Sequence, residues 1–117
     1  MSTSAAHPQI GWIAVDCADP TALSAWWQQL LGGEITVDDD GDVHLEAGSV
    51  PLLFIQVADA KVVKNRVHLD LRVSDYEAAQ AAAEAIGATP ADDIYVGDRW
   101  RVYRDPEGNE FCIIRPK

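Results

Sequence analysis

His68, Asp70 and Arg72 stand two residues apart in the stretch "NRVHLDLRVSD", with Val67, Leu69, Leu71 and Val73 filling the alternate positions. An imidazole can act as a general base or as a hydrogen-bond acceptor near neutral pH. Asp70 and Arg72 can pair with each other or serve as partners for a substrate carboxylate. Strict alternation is the period of a strand with one buried face, so these three ionisable side chains share the opposite face. That face meets either bulk water or a cavity. Other residues of chemical interest sit in strand-like stretches. Trp12, Phe54 and Gln56 fall in the first half of the chain, and Glu110 and Cys112 in "NEFCIIR". Trp12 and Phe54 offer the apolar walls that small-molecule pockets prefer. Cys112 is more often a small buried hydrophobe than a nucleophile, and no second motif supports thiol catalysis.

The elements that must position these residues are legible. "IGWIAVDC" reads as a strand, and "ADP" opens a helix with Asp19 as N-cap and Pro20 at the first helical position. Leu23, Trp26, Trp27, Leu30 and Leu31 then form an apolar stripe that Gly32-Gly33 ends. "EITVDDDGDVHLEA" is expected to be a hairpin turning near Asp40-Gly41, and "VPLLFIQVA" a further strand. The second half repeats the plan: a strand, a capping box from Ser74 to Glu77, the helix "YEAAQAAAEAI" ending at Gly87, then further strands. Helices are expected near 20–31 and 75–86. A shift of 56 residues lays Trp12 on His68, Asp19 on Asp75, and Gln56 on Cys112. The halves thus share a pattern more than letters.

One helix can cover only one face of each sheet. Alternation assigns Ile13, Val15, Leu69, Leu71, Phe111 and Ile113 to the helix side. Trp12, Asp16, Phe54, Gln56, His68, Asp70, Arg72, Glu110 and Cys112 are assigned to the other side. The expectation is an α+β fold of two βαβββ modules, about 9–58 and 65–116, in one domain spanning 9–117. The mixed sheets would form a cup, with a helix of each module on its outer face and residues 1–8 as a flexible tail.

The 117 residues suffice for one domain, and the net charge of −10 argues against nucleic-acid and anionic-membrane partners. No apolar run approaches the ~20 residues of a membrane-spanning helix. "MSTSAAHPQ" lacks the basic and apolar regions of a signal peptide. Two cysteines are too few for a disulfide framework. A cytoplasmic protein with reduced thiols is expected. The "DDDGD" run, Asp38 to Asp42, lacks the late bidentate glutamate of a calcium loop and reads as a solvated hairpin tip. Arg99, Arg101 and Arg104 flank Trp100 and either attract an anionic ligand or offset the acidic excess.

"VDCADPTALSAWWQQLLGGE", "NRVHLDLRVSD" and "DPEGNEFCII", in this order, resemble the glyoxalase-like branch of the vicinal oxygen chelate superfamily, over about residues 9 to 115. That superfamily includes glyoxalase I, bleomycin-resistance proteins and extradiol dioxygenases. The resemblance implies paired βαβββ modules, a cup-shaped sheet and a homodimer. Metal-dependent members take one ligand from the first and one from the last strand of each module. Carried over, those positions are Trp12, Gln56 (or Phe54), His68 and Cys112. An indole cannot bind a metal, and a thiol stands where a carboxylate is usual. No tightly held metal or other cofactor is therefore expected. A zinc ion at Gln56, His68 and Cys112 with an open position is the metal-bearing alternative.

Two functions compete. One is a small-molecule binding protein of the bleomycin-resistance type, its ligand held by Trp12, Phe54, Gln56, Asp70, Arg72, Glu110 and Cys112. The other is a lyase or isomerase acting on a small oxygenated substrate with His68 as catalytic base. A third, weaker reading is an accessory module whose cup is filled by its own side chains. A fold hosts many functions, so the resemblance does not choose among them.

Overall fold

The computed structural model describes residues 7–117, so most of the expected N-terminal tail lies outside the described residues. The chain divides into two compact units after Ala58. The first contains β1 (Ile13–Cys17), α1 (Pro20–Leu31), β2 (Glu34–Val37), β3 (Val43–Glu46) and β4 (Leu52–Gln56). The second contains β5 (Leu69–Arg72), α2 (Tyr76–Ala85), β6 (Thr89–Pro90), β7 (Trp100–Arg104) and β8 (Glu110–Ile114). Each unit is a βαβββ module with a four-stranded mixed sheet, in the orders β1-β4-β3-β2 and β5-β8-β7-β6. β1 pairs parallel to β4 and β5 parallel to β8, and the other pairings are antiparallel.

The helices begin and end for local reasons. The Asp19 carboxylate accepts from the Ala22 amide at 3.0 Å, Pro20 opens α1, and the Gly32 amide closes it on the Gln28 carbonyl. Gly33 follows at φ +93, and an added Cβ would sit 2.3 Å from the Glu46 carbonyl oxygen. Only glycine fits this close approach between the helix exit and β3. At α2 the cap is Asp75, accepting from the Ala78 amide at 3.0 Å, rather than the expected Ser74. A carboxylate three residues before a free helical amide satisfies it directly, which displaces the capping-box register by one residue.

The core of each module lies between its helix and one sheet face. In the second module Leu69, Phe111 and Tyr103 are register partners, as are Leu71, Ile113 and Arg101. Phe111, Ile113 and Tyr103 are essentially fully buried. The Tyr103 hydroxyl donates to Glu84 Oε2 at 2.6 Å and Arg101 donates to Gln80, which fastens α2 to this face. In the first module Val15, Phe54 and Val43 share a face with Ile13, Leu52 and Leu45, packed by Leu23, Trp26 and Trp27 of α1. Phe54 is fully buried there, so its expected place on the open face is corrected. The register partner of Phe54 is Val15, a helix-side residue, and paired residues point to the same side.

The same register corrects the alignment of the halves. In β5–β8 the partner of Asp70 is Cys112, and in β1–β4 the partner of Ala14 is Leu53. Leu53 therefore stands where Cys112 does, a shift of 59 rather than 56. The difference is odd, and an odd slip exchanges the two faces of a strand. Gln56 pairs with Cys17 and donates to the Ala18 carbonyl at 3.2 Å, tying the end of β4 to the turn before α1. The hairpin expected near Asp40-Gly41 is present, between β2 and β3.

Candidate functional site

The open face of the second sheet is organised in rows across β5, β8 and β7. Asp70, Cys112 and Val102 form one row, and Arg72, Ile114 and Trp100 form the next. His68 immediately precedes β5 and continues the parity of Asp70. Its Nδ1 lies 2.6 Å from Asp70 Oδ1 and 4.0 Å from Cys112 Sγ. An ionised carboxylate can only accept, so Nδ1–H is the donor in this contact. Cys112 is 6% exposed. Burial, reinforced by the charge of Asp70 and a hydrogen bond to it, pushes the thiol up to about 11, so it is protonated at neutral pH.

These residues border a cavity of about 310 Å³, near the small end of ligand pockets. Val102, Cys112 and Ile114 supply its sheet side, and Ile94 and Tyr95 reach it from the loop that precedes β7. The rings of Tyr95 and Trp100 stack with centroids 4.5 Å apart at an interplanar angle of 19°. His68 and Asp70 give the cavity a polar corner, and Lys64 reaches its wall.

Glu110 also lines the cavity, but its carboxylate is already engaged. It accepts from the Asn65 amide at 2.8 Å, from Lys61 Nζ at 3.1 Å and from Arg104 Nε at 3.3 Å. Burial alone would raise its pKa. The Asn65 amide, the Lys61 ammonium, its own backbone amide and the Arg104 guanidinium overcome this and hold it at about 2. Its role is to fasten the 61–65 segment to the sheet. Arg104 is further gripped by both oxygens of Asp93.

Four of the nine sequence-derived positions discussed for the open face, His68, Asp70, Glu110 and Cys112, come together at this cavity. Arg72 lies one row away, donating to the Arg115 carbonyl at 2.7 Å. Trp12, Phe54 and Gln56 are not among the cavity residues. Trp12 is exposed in the first module, with its ring edge-on to His44 at 6.1 Å. Ile94 and Tyr95 are additions that the sequence reading missed. They sit in an irregular loop, where no periodicity marks a side. Ile114 was within reach, since it shares the parity of Glu110 and Cys112 in β8.

The family's metal centre is a poor fit to these residues. With the register corrected, its four strand positions carry Trp12, Leu53, His68 and Cys112, and an indole and an isobutyl group supply no ligand atom. A different three-donor set does exist: donor atoms of His68, Asp70 and Cys112 lie within 4.8 Å of one another. Those donors are hydrogen-bonded to each other, and the thiol would have to lose its proton to bind an ion. The second acidic group, Asp38, Asp40 and Asp42, is a self-capped turn. Asp38 accepts from the Asp40 and Asp42 amides, and its other oxygen meets His44 Nε2 at 2.9 Å. The His44 hydrogen bond is the main cause of a lowered Asp38 pKa.

Comparison with known proteins places this architecture. Residues 12–114 match the family model described as a glyoxalase-like domain. A glyoxalase/bleomycin resistance protein/dioxygenase family enzyme from Burkholderia phytofirmans PsJN superposes with a TM-score of 0.76 at 20% identity, covering 94% of this chain and 100% of that one. The fosfomycin resistance protein FosX from Listeria monocytogenes gives 0.77 at 11% identity, covering 95% and 93%. A glyoxalase/bleomycin resistance protein/dioxygenase from Nocardioides gives 0.72 at 16% identity, covering 93% and 83%. No curated protein matches the sequence. On its matched span and its pair of βαβββ modules, the chain belongs to the glyoxalase-like domain family.

Proposed function

We propose that the protein binds a small organic molecule with a flat apolar body in the second-module cavity, without the four-ligand metal centre of its metal-dependent relatives. The observation that carries this reading is the stacked Tyr95–Trp100 pair beside Val102, Cys112 and Ile114, with the hydrogen-bonded His68–Asp70 pair as an oriented polar corner. Apolar walls supply affinity, and one oriented polar group supplies direction. Trp100 reports on the site, so a ligand entering the cavity should change tryptophan fluorescence. Val102→Trp, which fills the cavity, should abolish the change while leaving Trp12, Trp26 and Trp27 in place. A panel of aromatic compounds that perturbs wild type and Val102→Trp equally would refute the reading. Stoichiometric zinc, nickel, manganese or iron in protein purified without chelators would refute its metal-free part.

A second reading rests on the 2.6 Å His68–Asp70 contact. A carboxylate on Nδ1 orients the ring and leaves Nε2 to take a proton, as a lyase or isomerase requires. Turnover abolished by His68→Gln with ligand affinity retained would support it. A cytoplasmic homodimer is part of the same proposal. Light scattering that gives only the 12.7 kDa mass of one chain at micromolar concentration would contradict the dimer.

A further inference from the structure

Beside the cavity, and sharing Trp100 and Ile114 with it, lies a shallow depression of about 680 Å³ into which Arg72, Arg99 and Arg115 converge. Of the nine basic residues in a chain of net charge −10, three therefore meet at one place. The other arginines with mapped partners are neutralised by carboxylates: Arg101 by Asp92, and Arg104 by Asp93 and Glu110. These three make no ion pair among the described residues. Arg72 donates to the Arg115 carbonyl, Arg115 donates to the Asp98 carbonyl and lies 4.1 Å from the Tyr76 ring centroid, and Arg99 is exposed. Among the described residues, Asp98 is the one carboxylate bordering the depression. The local charge is positive on a molecule that otherwise repels anions, an arrangement that focuses one sign of ligand on one spot.

We infer that Arg72, Arg99 and Arg115 form the anion subsite of the same binding site, so that the ligand is an organic anion whose apolar body fills the cavity and whose charged head rests on the guanidiniums. This inference depends on the cavity reading above. The rows make the two parts compatible. Arg72–Ile114–Trp100 is the row next to Asp70–Cys112–Val102, two residues along each strand, or about 7 Å away. A bicyclic aromatic body with a carboxylate, sulfonate or phosphate at its edge spans that distance. Trp100 belongs to both parts, so the ring would lie against it while the head passes to the arginines. Guanidiniums held through carbonyl contacts keep further N–H donors for such a head.

Two fluorescent probes that differ by one sulfonate separate the possibilities: 8-anilino-1-naphthalenesulfonate and the neutral N-phenyl-1-naphthylamine. Wild type should bind the sulfonate roughly threefold to tenfold more tightly at low salt, the range for one or two exposed charge contacts. About 0.5 M salt should remove most of that advantage. The double variant Arg72→Gln/Arg99→Gln, which leaves only Arg115, should remove most of the sulfonate's advantage without weakening the neutral probe, and Val102→Trp should weaken both. Circular dichroism would check that each variant is folded. Equal affinities in wild type, or an advantage that is undiminished in the arginine double variant, would overturn the anion subsite and leave the cavity reading intact. Binding of neither probe, or binding of both that Val102→Trp does not touch, would overturn the cavity reading and the subsite with it.

Discussion

Replacing Glu110 by Gln removes the charge on which the Asn65 amide, Lys61 and Arg104 converge, at a side chain only 4% exposed. The folded protein holds this carboxyl at about 2, against an ordinary value of 4.5. At about 1.4 kcal/mol for each unit, that difference corresponds to about 3 kcal/mol of stability at neutral pH. The folded-state pKa is depressed, so as pH falls the unfolded chain takes up the proton first. The contribution is complete above about pH 4.5 and is lost as pH falls toward about 2. Glutamine keeps an acceptor for the Asn65 amide but turns an amide group toward two cations. Glu110→Gln should therefore cost about 2–4 kcal/mol near pH 7. Because glutamine does not titrate, the gap from wild type should narrow by about 1.4 kcal/mol at about pH 3.5. Urea unfolding followed by tryptophan fluorescence at several pH values measures both quantities. A loss below about 0.5 kcal/mol near neutrality, the scale of an exposed pair, would refute the reasoning. So would a gap that stays constant with pH.

Gly33→Ala should destabilise by more than about 2 kcal/mol, because its Cβ would meet the Glu46 carbonyl oxygen at 2.3 Å. Gly108→Ala, at φ +86 with nothing within 4 Å, should cost only about 1 kcal/mol, and urea unfolding of both glycine variants would check this ranking. Asp75→Ala should cost about 1 kcal/mol while Ser74→Ala costs little, and the reverse ranking would move the cap back to the sequence-derived position. In a Cys17→Ala background, iodoacetamide should alkylate Cys112 slowly near pH 7.5, with a rate still rising beyond about pH 10. A plateau by about pH 8 would show a thiol that is not raised to about 11.

Much of this molecule was determined by short-range sequence signals. Asp19-Pro20, the Leu23–Trp26–Trp27 stripe and Gly32-Gly33 delimit α1 within a residue, because caps and helical periodicity involve residues at most four apart. The alternation of "HLDLR" and "EFCII" likewise put His68, Asp70 and Cys112 on one side and Leu69, Phe111 and Ile113 on the other, as the register shows. What only the tertiary structure decided is pairing across the chain. Leu53, not Gln56, is the counterpart of Cys112, and Phe54 faces the helix with Val15. Parity within a strand says which residues share a face but not which face it is, and an odd offset between strands reverses the answer. Ile94 and Tyr95 reach the cavity from an irregular loop, where no repeat exists to read. The arginines divide the same way. Sequence proximity to Trp100 singled out Arg99, Arg101 and Arg104, yet Arg101 and Arg104 are taken by carboxylates. Arg72 and Arg115 join Arg99 because β5 and β8 pair in parallel, a contact between segments more than forty residues apart.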